Sequence, residues 1–245
     1  MLVYILTLFP DALEPFLSKG VFRVARDNGI VDVRLLNFRD FAKGKHRNVD
    51  DRPFGGGPGM LLRPEPIFAA VEWIESREGP FHKILLTPDG TTFRQPIAQS
   101  LAKTDRLLFL CGRYEGFDQR ILDGFEWERL SIGDFVLSGG ELPALVILEA
   151  TIRLIPGVLG DEESSVSESF NSGLLDFPQY TRPREFRGVT IPDVLVSGDH
   201  EAIDEWRDAK AREHTRKERP DMLPQNEQKP NPKFGLPKLG PKKDN

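Results

Sequence analysis

Four residues with acid–base or charged side chains lie near glycine-rich segments of the chain: Glu115, Arg153, Glu168 and Asp176. A carboxylate that faces an arginine can accept a proton while the cation stabilises developing negative charge. On residue types alone, exposed ion pairs are the better interpretation of these four. They are therefore candidates for catalysis whose reaction has to be argued from their surroundings.

Those surroundings are two glycine-punctuated turns within residues 107–153. A buried strand ends at Gly112, a short helical pattern follows, and a second break over residues 131–143 precedes a long apolar helix. Glycine allows backbone to approach a ligand closely, so two such turns can place two bare backbones side by side. Their polar residues suit a pocket better than a core: Arg113, Tyr114, Glu115, Asp134, Ser138 and Glu141. We predict a small-molecule site here.

Composition restricts the function further. The 245 residues carry 29% charged and 39% hydrophobic residues and a net charge of -5, which argues against a wholly basic nucleic-acid binder. Basic residues concentrate in residues 207–245 and in an island of Arg39, Lys43, Lys45, Arg47 and Arg52. This asymmetry permits a polyanionic partner at particular faces, although on charge alone a solvated surface is the better interpretation. The single cysteine, Cys111, is expected to be a buried, inert thiol.

The order of the elements predicts an α/β fold. Strands that alternate with helices favour a mostly parallel sheet covered on both faces, in which ligands bind beyond the carboxyl ends of the strands. Thr87-Pro88, Gly112-Arg113 and Ile132-Gly133 are all strand-end or loop positions and could therefore line one crevice. Residues 88–90 read as a turn that ends the strand before them. Residues 1–9 read as a strand rather than a signal peptide, no run is long enough to span a membrane, and we expect a cytoplasmic protein.

Two other segments are irregular. The stretch from Asn37 to Arg63 contains DDRPFGGGPGM but lacks the Lys-Ser/Thr ending of a nucleotide-binding P-loop, and we expect it to be ordered and functional. After residue 160 an acidic, serine-rich stretch reads as a linker. The predicted organisation is a first domain over residues 1–160, a linker over 161–172, a second domain over 173–220 and a disordered tail over 221–245.

Five long motifs occur in one order: DDRPFGGGPGM, CGRYEG, SIGDFVLSGGELP, IPGVLG and GLLDFPQYTRP. Together they resemble the family of bacterial tRNA (guanine-N1)-methyltransferases, from Met1 to about Arg219. The resemblance implies methyl transfer from S-adenosylmethionine to N1 of guanosine at tRNA position 37, immediately 3′ of the anticodon, in support of reading-frame maintenance. It also implies a SPOUT-type α/β domain with a deep trefoil knot and a small, mainly helical C-terminal domain that binds tRNA.

The family pattern assigns roles to individual residues. Glu168, in the linker position where the family usually has aspartate, would be the general base, Arg153 would stabilise charge on guanine O6, and Glu115 would hold the base edge. Pro58, Gly59 and Asp176 would contact the substrate. The resemblance further implies a homodimer with its active site at the subunit interface and a Mg²⁺ requirement without visible protein ligands. The methyl donor would contact Leu86, Thr87, Pro88, Gly112, Ile132, Gly133, Asp134, Phe135, Val136, Leu137, Gly139 and Gly140.

Three other functions compete with this one. A related SPOUT methyltransferase that acts on another RNA position would share the donor pocket, but we would not expect it to carry both GGGPGM and GLLDFPQYTRP. A non-catalytic RNA-binding relative would be expected to lose the carboxylate or Arg153. A dinucleotide-dependent oxidoreductase would need Gly-x-Gly-x-x-Gly directly after a strand, and this pattern is absent.

Overall fold

The computed structural model describes residues 1–160, 169–170 and 173–224. The chain divides into two compact units, Met1–Glu162 and Glu163–Asn245. In chain order, the first unit contains β1 (Leu2–Thr7), α1 (Pro10–Leu17), α2 (Gly20–Asp27), β2 (Asp32–Asn37), β3 (Asp50–Asp51), β4 (Leu61–Leu62), α3 (Pro64–Glu78), β5 (His82–Thr92), α4 (Gln95–Leu101), β6 (Arg106–Cys111), α5 (Gln119–Gly124), β7 (Trp127–Ser131) and α6 (Glu141–Ile152).

A five-stranded sheet organises the first unit. Its strand order is β2-β1-β6-β5-β7, and every neighbouring pair is parallel. The α/β prediction with a mostly parallel sheet is therefore confirmed. Because β6, β5 and β7 are neighbours and run the same way, the loops that follow them emerge at one edge of the sheet.

The two faces of the sheet bury separate hydrophobic clusters. In β1, Val3 and Ile5 pack with residues of α1, α2 and α6, whereas Tyr4 and Leu6 pack with residues of α3 on the opposite face. This alternation follows from the two-residue period of a strand. It explains why β1 and β6 read as continuous apolar runs, since both of their faces are covered.

The sequence-based prediction is wrong at residues 88–90. Strand β5 continues through them to Thr92, and its register against β7 shifts so that both Leu86 and Thr91 align with Leu130. Pro88 cannot donate a ladder hydrogen bond, so the strand bulges there and then resumes. A bulge that re-aims the backbone thus takes the place of the expected turn.

Strand β7 is absent from the sequence-based prediction. Its sequence, WERLS, contains two adjacent charged residues and only two large apolar ones, which gives a weak strand signal. The strand forms because it pairs with β5 over most of its length, burying Leu130 and Ser131. Pairing partners that are distant in sequence therefore decide this element.

The second unit contains a long helix, α7 (His200–Glu218), whose first turn is capped by Asp199 accepting a hydrogen bond from the Ala202 N–H at 3.1 Å. A short antiparallel hairpin pairs Glu185–Phe186 with Val189–Thr190. Pro220–Met222 form a 3₁₀ turn and Leu223 is buried, so the predicted tail start at residue 221 is too early. The apolar side chain of Leu223 explains the difference.

Among the described residues, no helix is long and apolar enough to cross a membrane. The trefoil knot and the roles of the second domain stay predictions. Glu168 and the rest of residues 161–168 lie outside the described residues, as do residues 225–245.

Candidate active site

A pocket opens at the carboxyl ends of β6 and β7 and beside the bulge of β5. The three pairs predicted to line one crevice, Thr87-Pro88, Gly112-Arg113 and Ile132-Gly133, all lie on its wall, which confirms that prediction. Most of the lining residues belong to the segments that follow β6 and β7. The lining residues are Leu86, Thr87, Pro88, Gly112, Arg113, Tyr114, Glu115, Gly116, Phe117, Leu130, Ser131, Ile132, Gly133, Phe135, Val136, Leu137, Ser138, Gly139, Gly140 and Pro143.

The two glycine turns meet at Gly112 and Gly140. The Gly140 N–H donates a hydrogen bond of 3.0 Å to the Gly112 carbonyl, and Arg113 and Gly139 form an isolated antiparallel bridge beside it. A Cβ at Gly140 would lie 2.8 Å from the Cα of Cys111 and 3.0 Å from the Gly112 nitrogen. Only a residue without a side chain fits this approach, so the expected pair of adjacent bare backbones is confirmed.

Glu115 stands at the rim of this pocket. It is exposed, and its N–H donates a 3.0 Å hydrogen bond to the Met60 carbonyl. Gly59 lies directly beneath it with φ of +82°, and a Cβ at Gly59 would overlap the Glu115 side chain. The predicted substrate residue Gly59 and the predicted catalytic residue Glu115 are therefore in contact, and Pro58 is exposed next to them.

A buried ion pair fastens the two loops together. Glu141, 5% exposed at the start of α6, places its Oε2 3.0 Å from Arg113 Nη2, and its Oε1 accepts a 2.7 Å hydrogen bond from the hydroxyl of Thr7. Arg113 also donates to the Ser138 carbonyl at 3.3 Å and lies over the ring of Phe9. The ion pair was not predicted, although a glutamate directly before an apolar helix was a usable signal.

Cys111 is poorly placed for covalent chemistry. It is fully buried at the end of β6, and burial, with the negative charge of Glu141 adding to it, raises the pKa of its thiol well above the ordinary value. A thiolate is the nucleophilic form, and it is disfavoured here. The prediction of a buried, inert thiol is confirmed.

Comparison with known proteins decides the family. Residues 1–225 match the family described as tRNA (guanine-1)-methyltransferase TrmD. The chain belongs to this family. It is also similar to three curated proteins named tRNA (guanine-N(1)-)-methyltransferase. The protein of Geobacillus kaustophilus is 49% identical over 223 residues, covering 91% of this chain and 91% of the relative. The protein of Rhodopirellula baltica is 51% identical over 226 residues, covering 91% of this chain and 93% of the relative. The protein of Latilactobacillus sakei is 48% identical over 225 residues, covering 91% of this chain and 91% of the relative.

Membership of the methyltransferase family removes the three competing functions. The oxidoreductase is excluded by the family match over nearly the whole chain, and so is a SPOUT enzyme of another family. The non-catalytic relative is excluded as well, because the family match and relatives at about 50% identity show an enzyme that methylates tRNA at guanine N1.

The pocket of this methyltransferase fits the methyl donor that its family activity implies. Eleven of the twelve residues predicted to bind the donor line it, and the remaining one, Asp134, is exposed outside the wall. A Cβ at Gly112, Gly133 or Gly140 would lie within 3.0 Å of other protein atoms, so the backbone at these points of the wall packs closely against its surroundings. Exposed apolar side chains at Phe135, Val136 and Leu137 offer a surface for a flat, partly apolar group. Their contact with the donor stays a prediction.

The other predicted catalytic residues are spread over the methyltransferase. Arg153 caps the far end of α6, where its N–H donates to the Glu149 carbonyl, and it does not line the pocket. Asp176 belongs to the second unit, where it bonds Gln179 through its carboxylate at 2.6 Å. Glu168 lies outside the described residues.

The residues described offer no protein site for the Mg²⁺ that the resemblance implies. Within residues 1–160, 169–170 and 173–224, no three His, Cys, Asp or Glu side chains form a group able to hold a metal ion.

Proposed function

We propose that this methyltransferase transfers a methyl group from S-adenosylmethionine to N1 of guanosine 37 in tRNA, next to the anticodon. The observation that carries the proposal is the backbone-walled pocket with Glu115 at its rim. Such a pocket can hold a small donor through peptide groups and leave the donor's reactive carbon facing an open side. The target base must leave its stack to reach that side, which favours a loop nucleotide.

The chemistry requires removal of one proton. Guanine N1 carries a proton and becomes nucleophilic when that proton is removed. We assign the removal to the carboxylate of Glu168, which occupies the family's position for the general base. Negative charge then builds on guanine O6, where the Arg153 guanidinium would stabilise it. Glu115 would accept hydrogen bonds from the edge of the guanine. When bound, the donor supplies an electrophilic methyl group on a sulfonium, and the N1–CH₃ bond forms as the S–CH₃ bond breaks.

A homodimer would complete this site. Helix α6 begins at the pocket and is 12 residues long, so Arg153 lies about 18 Å of helix away from Gly140. Within one chain, Arg153 therefore lies far from the pocket rim where Glu115 stands, although the mechanism needs both residues at the same guanine. A second copy of the chain would supply the missing residue. Exposed apolar side chains on and beside α1 and α6, which include Phe16, Leu142 and Val146, support such an interface.

The remaining parts of the proposal concern regions and conditions. Residues 161–172 would carry the base to the target, and residues 173–220 would bind tRNA. A Mg²⁺ requirement would then be met with tRNA phosphates as ligands, since Mg²⁺ commonly binds through substrate phosphates. We place the enzyme in the cytoplasm, where unmodified tRNA is available.

The decisive experiment measures methyl transfer from labelled S-adenosylmethionine to an unmodified tRNA transcript with guanine at position 37. A transcript with adenine at that position is the control. Transfer to the guanine transcript alone supports the proposed reaction, and loss of transfer in Glu168→Gln supports the assigned base. Donor binding without transfer to the guanine transcript would overturn guanosine 37 as the target, and an active Glu168→Gln would move the assignment of the base to Asp176.

A mixing experiment tests the shared site. Glu115→Ala and Arg153→Ala should each be inactive, and unfolding and reassembling them together should restore part of the activity in mixed dimers. If both residues act within one chain, the mixture should stay inactive, because each chain then carries a defective site.

A further inference from the structure

The segment from Arg39 to Phe54 carries several exposed cations. Arg47 pairs with Asp40 at 3.1 Å, but within the described part of the chain no carboxylate lies within ion-pair distance of Lys43, Lys45 or Arg52. All three side chains are exposed, and His46 is exposed between them. Asp50 and Asp51 follow in the strand, so the surface is mixed, with its unpaired charge positive.

Phe54 is fully exposed at the end of this segment. Its whole ring is therefore available for contact with a partner. It is followed by Gly55, Gly56 and Gly57, which have φ of +86°, +80° and +120° and nothing within 4 Å of the position that a Cβ would occupy. The three glycines are thus favoured by backbone conformation and not by close packing.

The same segment leads directly into the candidate active site. Gly59 contacts Glu115, and Met60 accepts the Glu115 N–H. Leu62 of β4 then donates to the Gly116 carbonyl at 2.9 Å and accepts from the Asp118 N–H at 3.0 Å. Phe54 is five residues from Gly59, so it lies within about 17 Å of extended chain of the pocket rim.

We propose that Lys43, Lys45, Arg52 and Phe54 form a contact surface for the tRNA strand that enters the site, which we call the entry surface. The three cations bind phosphates, and Phe54 stacks on a base that neighbours the target guanine. This inference rests on the proposed function. Cations interleaved with an exposed aromatic ring are the combination that binds single-stranded nucleic acid, because phosphates attract the cations and every base has a face to stack on.

The cations are tested by the salt dependence of tRNA binding. The probe is the guanine-37 transcript, and binding is measured by filter retention from 50 to 250 mM KCl. Each of Lys43→Gln, Lys45→Gln and Arg52→Gln should reduce the slope of log K against log salt by about 0.7 to 0.9. Lys103→Gln is the matched control, since Lys103 is exposed before β6 and so at the opposite edge of the sheet. Slopes equal to that of the control would overturn the phosphate contacts.

The stacking role of Phe54 is tested by two substitutions, one that removes the aromatic ring and one that keeps an aromatic ring of another size. Phe54→Leu should weaken tRNA binding about tenfold, and Phe54→Trp should bind as well as wild type or better, because stacking needs a flat ring. The slope against salt should not change in either variant. Equal binding by the leucine and tryptophan variants would show that the ring does not stack.

Donor binding separates this proposal from the proposed function. All entry-surface variants should bind S-adenosylmethionine as wild type does in calorimetry, and should reach wild-type single-turnover rates at saturating tRNA. If wild type binds tRNA through the entry surface but transfers no methyl group, the proposed reaction fails and the entry surface stands. If wild type methylates tRNA and the variants match Lys103→Gln, the entry surface fails and the reaction stands.

Discussion

Two glycine-rich regions of this methyltransferase use glycine for different physical reasons. At the pocket, Gly140 is packed against the backbone of Cys111 and Gly112, so a side chain has no space there. In the run Gly55–Gly57 the space is open, and positive φ alone favours glycine. The first region is part of the folded interior, whereas the second displays a loop to solvent.

Under the two proposals above, this difference separates donor binding from RNA binding. Two loops whose backbones pack directly against each other are held in place by the sheet that carries them. This arrangement suits a pocket that must be preformed for a small donor. An open glycine run fixes only the direction of the chain, which suits a surface that meets a larger partner. Gly59, with φ of +82° and Glu115 against it, lies where the two regions meet.

The largest effect is expected for Gly140→Ala. The added methyl group would lie 2.8 Å from the Cys111 Cα, and the resulting overpacking should cost about 1 to 3 kcal/mol of unfolding free energy. Donor binding should be lost, because the Gly140–Gly112 hydrogen bond shapes the pocket wall. Calorimetry with S-adenosylmethionine and thermal unfolding measure both quantities.

Gly160→Ala is the control for that variant, since nothing lies within 4 Å of its Cβ position and its φ is not positive. It should bind the donor normally. Normal donor binding by Gly140→Ala as well would mean that the two glycine regions do not differ as described.

The next effect concerns the ion pair between Glu141 and Arg113. Glu141→Gln should lower donor affinity about tenfold and unfolding free energy by about 1 to 3 kcal/mol, because it leaves a half-buried arginine without its counter-charge. Arg23→Gln breaks an exposed pair, Arg23–Asp27 at 3.9 Å, and should change stability by less than about 0.5 kcal/mol. If urea unfolding shows equal losses for the two variants, the Glu141 pair does not fasten the loops.

A smaller effect is expected in the open run for Gly56→Ala. The left-handed conformation costs a residue with a Cβ about 1 kcal/mol, so the loop should shift without unfolding the protein. The KM for tRNA should rise a few-fold, whereas the Kd for the donor should not change. Gly56→Asn should be milder, because asparagine tolerates positive φ. A fall in donor affinity would contradict the separation of the two regions.

The smallest effect is expected for the stability contributed by Asp118, which lies near the junction of the two regions and is tested by its dependence on pH. Hydrogen bonds from the Arg120 side chain hold the pKa of Asp118 below its usual range. The carboxylate therefore contributes stability that is present above about pH 4 and is lost as pH falls through the lowered pKa. Asp118→Asn should be less stable than wild type by about 0.5 kcal/mol at pH 7.

The difference between Asp118→Asn and wild type should shrink as the pH is lowered below about 4, when wild type also loses its charge. Urea unfolding at both pH values checks this. A difference that is independent of pH would show that the charge of Asp118 does not contribute.

The sequence was sufficient to predict an element wherever the pattern that specifies it lies within the element itself. Apolar runs mark β1 and β6, and the glycines at 112 and 140 mark two turns, because steric demands on backbone appear directly in residue type. Long motifs were sufficient for the family. Strand β7 and the bulge in β5 were not predictable in the same way. Both depend on the alignment of Leu130 with Leu86 and with Thr91, which lie about forty positions earlier in the chain.

The residue types alone thus determined that this chain is an α/β protein with a glycine-walled site after its strands and an inert buried thiol. Only the tertiary structure decided that Glu141 pairs with Arg113, that Gly59 lies beneath Glu115, and that Arg153 is at the far end of α6. The physical reason is that side-chain chemistry and backbone freedom are properties of a residue. Contacts are properties of a pair, and the pairs that form this site are up to 134 residues apart in the chain.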